Sequence, residues 1–109
     1  MGTQLKVLGQ LVPGAATLGT LYTVPASTQT AVSSIVATNQ ATTSTKVRVA
    51  VRVGGAALDP KQYLVYDLAV PGNNGHAMTI GMTLNAGDIV SVYSLSGNVS
   101  FNLFGEETA

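Results

Sequence analysis

The side chains able to do chemistry are few and poorly grouped. The single histidine, His76, follows Asn73-Asn74-Gly75 and reads as a solvated turn residue, because one imidazole cannot hold a metal ion alone. Of the acids, Asp59 and Asp88 fall in turn segments and Glu106 and Glu107 in a C-terminal tail, leaving Asp67 without a carboxylate partner for glycoside chemistry. The absence of cysteine removes thiol catalysis, disulfides and thiolate metal sites together. No serine sits in a G-x-S-x-G elbow, and Leu95-Ser96-Gly97 makes a turn. Gly54-Gly55 is too short for a dinucleotide fingerprint and has no helix behind it. The expectation is a non-enzyme with no cofactor and no metal site.

Two surface features remain. Lys46, Arg48 and Arg52 place three of the five basic residues on the outward positions of one strand. Such a row either keeps a solvated strand from pairing with other edges or docks on an acidic protein surface. It is the candidate partner-binding face. Nucleic acid is not expected there, because no aromatic residues interleave with these charges. The tyrosines Tyr22, Tyr63, Tyr66 and Tyr93 are the other feature; Tyr63 and Tyr66 are the pair a carbohydrate-binding module would use for stacking, although half-buried tyrosines in strands usually pack.

These residues must be positioned by strands. Apolar and small polar residues alternate over 45–53, where Val47, Val49, Val51 and Val53 oppose Lys46, Arg48, Ala50 and Arg52. The same period runs through 77–84, with Met78, Ile80, Met82 and Leu84 inward, and through 98–104, with Val99, Phe101 and Leu103 inward. Further strands are expected over 4–11, 20–24, 30–39, 63–70 and 89–95. Val12-Pro13-Gly14, Val24-Pro25-Ala26, residues 39–44, Asp59-Pro60, residues 71–75 and residues 85–88 supply the turns, with at most one helical turn at 59–62. About eight short strands separated by turns imply a single antiparallel β-sandwich domain over 1–109, jelly-roll or immunoglobulin-like. An N-terminal arm at 1–6 and a C-terminal tail at 105–109 are expected outside it, ordered by a partner.

Composition narrows the setting. The chain has 109 residues, no net charge and only 9% charged residues, against a usual ~25%. Neutrality provides no field to recruit nucleic acid or anionic lipid. The N-terminus lacks the basic region and long apolar run of a secretory signal. The most apolar stretch, 46–58, is broken by Arg48, Arg52 and Gly54-Gly55, so no membrane span is expected.

The segment from Thr20 to Asn39, LYTVPASTQTAVSSIVATN after its first residue, followed by Lys46-Val47-Arg48-Val49-Ala50-Val51-Arg52, resembles a family of small structural proteins of tailed bacteriophage virions. Thr83-Leu84-Asn85-Ala86-Gly87-Asp88-Ile89-Val90-Ser91-Val92-Tyr93 is similar to a further segment of that family. The resemblance runs from about Gln10 to Gly105 and carries strand and turn positions rather than a chemical site. It implies a virion protein, foremost a capsid decoration or cement protein that bridges major capsid subunits, and alternatively a tail or fibre adaptor. A homo-oligomer is expected, with a trimer at a three-fold position as the natural arrangement.

Overall fold

An alternating strand buries one face only if a second layer covers it, and this chain supplies that layer from its own strands. The computed structural model describes residues 2–109. It contains β1 (Thr3–Leu11), β2 (Gly19–Thr23), β3 (Gln29–Asn39), β4 (Thr45–Arg52), β5 (Tyr63–Val70), β6 (Asn74–Met78), β7 (Met82–Leu84), β8 (Ile89–Ser94) and β9 (Val99–Thr108). Single 3₁₀ turns at Val53–Gly55 and Pro60–Gln62 lie in the β4–β5 connection. The second is the helical turn expected after Asp59, whose carboxylate accepts the Lys61 N–H while the Gln62 side chain accepts the Asp59 N–H.

Every pairing is antiparallel. One sheet runs β1-β9-β3-β6, with β7 also on β3, and the other runs β2-β8-β4-β5. β6 and β7 lie along successive lengths of β3, opposite Ile35–Asn39 and Thr30–Val32, and act as one strand broken at residues 79–81. The continuous strand expected over 77–84 is thus interrupted, although Met78, Met82 and Leu84 are buried as the alternation requires. With β6 and β7 taken together, the first strand pairs with the last, the second with the next to last, the third with the sixth and the fourth with the fifth. A long hairpin has been rolled into two sheets. This is a jelly roll, and it settles the choice left open between jelly-roll and immunoglobulin-like sandwiches.

The core lies between the sheets. Ile35, Ala37, Val99, Phe101 and Leu103 from one meet Val47, Val49, Val90 and Val92 from the other, all fully buried. Each larger side chain contributes about 1.5–3 kcal/mol of apolar burial. Ala50, on the outward side of β4, is also fully buried, so this central strand is covered on both faces at that position. Val53, expected inward, lies in the 3₁₀ turn and is 70% exposed.

Polar pins close the two ends. Asn39, at the head of the turn expected over 39–44, is buried; its amide donates to the Thr43 and Val70 carbonyls at 2.9 and 3.1 Å and its oxygen accepts the Ala41 N–H at 3.0 Å. At the opposite end, the buried Tyr22 hydroxyl donates to Glu107, and the Thr30 hydroxyl donates to the Tyr22 oxygen at 2.8 Å. Lys6 completes the group with a 3.2 Å ion pair to Glu107.

The terminal segments correct the expected arm and tail. Met1 lies outside the described residues, but Thr3 to Lys6 belong to β1 and pair with Gly105 to Thr108 of β9. The physical reason is mutual: each segment supplies the ladder partner and the opposite charge that the other needs. His76 is likewise on β6, opposite Ala37, rather than in a turn.

Candidate partner-binding face

β4 lies between β8 and β5, so its outward residues sit at the middle of a sheet. Lys46, Arg48 and Arg52 all project from it, yet their surroundings differ. Arg48 lies opposite Tyr93 of β8. On its other side the β4–β5 register slips between Val47 and Val49, so that Tyr66 and Asp67 together oppose the one residue Arg48. Asp67 takes a left-handed φ of 54° at this bulge, which a short polar side chain tolerates better than a branched one.

The bulge aims Asp67 at the guanidinium. Arg48 Nε donates to Asp67 Oδ1 at 2.7 Å, and the Arg48 side chain is only 24% exposed. Its guanidinium carbon lies 4.2 Å from the Tyr66 ring centroid and 4.4 Å from that of Tyr93, a cation held between two π-faces. The hydrogen bond from Arg48 holds the Asp67 carboxyl below its ordinary range, and the same bond raises the guanidinium's affinity for its proton. Arg52 turns the other way. Its Nε and Nη2 donate to the carbonyls of Ala56 and Gly55 at 2.7 and 3.2 Å, tying down the start of the β4–β5 connection.

The three basic residues are therefore brought to one face but do not form a free positive row. Arg48 is neutralised by Asp67, Arg52 is committed to two carbonyls, and Lys46 alone of the three is exposed with no ion pair among the described residues. The charge pattern of β4 could not reveal this, because Asp67 is distant in sequence and reaches Arg48 only through the bulge.

Beside the Arg48 cluster the surface becomes apolar. Tyr63 and Tyr66 meet edge to face, 4.9 Å between centroids and 84° between planes. With Leu58, Asp59 and Pro60 they line an open cleft of about 400 Å³. A second shallow depression, lined by Val51, Val53, Ala56, Lys61, Gln62 and Leu64, lies along the same connection. Val53, Leu58, Leu64 and Tyr66 are 70, 44, 46 and 59% exposed. Leu64 and Tyr66 are exposed at alternate positions of β5, whereas Val53 and Leu58 lie in the β4–β5 connection, where no period-two pattern could place them.

Four of the five acids are occupied in holding the fold, Asp67 through Arg48 among them. Asp88 accepts the Gly54 and Asn85 N–H groups at 2.8 and 2.9 Å, Asp59 caps its 3₁₀ turn, and Glu107 joins Tyr22 to Lys6. Among the described residues no group of three or more His, Asp or Glu side chains is placed to hold a metal ion. No helix is long and apolar enough to cross a membrane. Comparison of the sequence with protein-family models and with curated proteins finds no match.

Proposed function

We propose that this protein is a non-enzymatic structural subunit of a larger assembly, a virion decoration or cement protein that bridges capsid subunits. The observation that carries the reading is the pair of exposed apolar side chains Leu58 and Tyr66, which line a cleft beside the neutralised Arg48–Asp67 pair, on a chain with 9% charged residues. A surface of this kind loses little hydration on docking, since its one cluster of opposite charges is already paired. Jelly rolls recur in viral capsid and lectin domains, and the resemblance of the Thr20 to Asn39 segment to phage virion proteins favours the former. Fold alone does not choose between them. The test is to locate labelled protein on intact particles and to heat particles with and without it. Presence on the shell with lower heat resistance on removal supports the reading; location on the tail supports an adaptor instead.

The cleft beside Tyr63 and Tyr66 favours a second reading, a glycan-binding module, since an exposed tyrosine ring with Asp59 at its rim offers stacking and a hydrogen-bond acceptor. Glycan-array binding that Tyr66→Ala abolishes supports it; an array with no bound glycan rejects it.

A further inference from the structure

A sheet that ends in solvent exposes a row of unpaired backbone donors and acceptors, and folded proteins blunt such edges. Three of the four edges here are blunted. β2 has five residues and a register slip between Thr20 and Tyr22. β5 has two slips against β4, with Asp67 in left-handed backbone. The β6–β7 edge is broken at residues 79–81. β1 differs. Its ladder with β9 runs without a slip from Thr3 to Val7, and all five of these residues are exposed.

The direction of its free groups follows from the ladder. Gly2 and Ala109 exchange both backbone bonds, at 3.2 and 3.1 Å. In an antiparallel pair, bonded and non-bonded positions alternate, so Gln4 and Lys6 bond to β9 while Thr3, Leu5 and Val7 turn their N–H and C=O groups to the open edge. Leu5, 83% exposed, and Val7, 47% exposed, share the outer face with Phe104, which lies opposite Val7. The one charge on this stretch, Lys6, is drawn to Glu107 on the adjacent strand and is not free to guard the edge.

We propose that β1 pairs with β1 of a second copy of this chain, antiparallel about a two-fold axis at Leu5, joining two sheets into one. An antiparallel edge is self-complementary under a two-fold, which is why a second copy fits without any further partner. Charge selects the register. Centring on Lys6 would set lysine opposite lysine, which is unfavourable. Centring on Leu5 sets Thr3 against Val7, Gln4 against Lys6 and Leu5 against itself, uses every free edge group and forms about six backbone hydrogen bonds. It also covers the most exposed leucine of the chain with its own counterpart. This association is two-fold rather than three-fold, and it stands whether or not the virion reading holds.

The test is sedimentation of the purified chain over a concentration series, with Leu5→Pro and Leu5→Lys variants, alongside hydrogen exchange. Proline at position 5 removes only an edge-facing N–H and leaves the β9 ladder intact, as edge strands tolerate. The wild-type mass should double with concentration, with the Thr3, Leu5 and Val7 amides gaining protection together. Leu5→Pro should weaken association by ~10-fold or more while keeping the circular dichroism of the folded chain. If Leu5→Pro fails to fold, Leu5→Lys provides the same readout by putting like charges opposite each other. A wild-type chain that stays at the mass of one copy, or a folded variant that associates as the wild type does, overturns the proposal.

Discussion

The Tyr22 hydroxyl donates to the Glu107 carboxylate, joining the second strand in one sheet to the last strand in the other. The bond favours the ionised acid and the neutral phenol together. The Glu107 carboxyl is held below its ordinary range, by Tyr22 first and Lys6 after it, and Tyr22 is pushed up to about 12 by burial and by Glu107.

The pH dependence follows from these directions. A depressed acid contributes stability that is fully present above its unfolded value, about 4.3 for glutamate, and is lost as pH falls through the lower folded value. Asp67 acts in the same sense through Arg48. At the alkaline end, Tyr22 contributes stability present below an unfolded value of about 10 and lost as pH rises through about 12. Urea unfolding against pH should therefore show a flat neutral region with losses at both ends, and Tyr22→Phe should remove the alkaline loss and reduce the acid one.

Asn39→Ala should destabilise the fold by about 2–3 kcal/mol, because it strips hydrogen bonds from the Val70 and Thr43 carbonyls at a buried site. Thermal unfolding checks this, and Asn39→Asp should not rescue it, since a carboxylate cannot donate to those carbonyls.

Arg48→Ala should raise the Asp67 carboxyl toward its ordinary range, readable by carbon-detected NMR titration, while leaving the sandwich folded. Arg48→Lys should restore part of the shift but not the stacking between Tyr66 and Tyr93, because an ammonium lacks the planar guanidinium.

Gly105 passes so close to β3 that a Cβ there would run into the Ala31 carbonyl oxygen. Gly105→Ala should cost about 1–3 kcal/mol in equilibrium unfolding through the backbone shift it forces. Gly2→Ala, with open space around it, should be close to neutral and serves as the control.

Most of the fold was legible in the alternation. Val47 and Val49 on β4 and Phe101 and Leu103 on β9 are buried where period two places them, and Pro13, Pro25 and Asp59-Pro60 lie between strands. The candidate face was legible only as a list of like charges. Lys46, Arg48 and Arg52 do share one strand, but Asp67 and the Ala56 carbonyl decide that two of them are already engaged.

What the amino-acid order determined by itself is therefore local: which residues form strands, which face of each turns inward, where turns fall, and that charge is scarce. Alternation is a property of each strand alone, so it survives without knowledge of neighbours. Tertiary structure decided the rest. The rolled pairing of first strand with last, the union of the terminal segments into one ladder, the bulge that delivers Asp67 to Arg48 and the exposed edge at Leu5 all depend on register between distant segments. Register is set by long-range packing, and one residue of slip reverses every side chain beyond it.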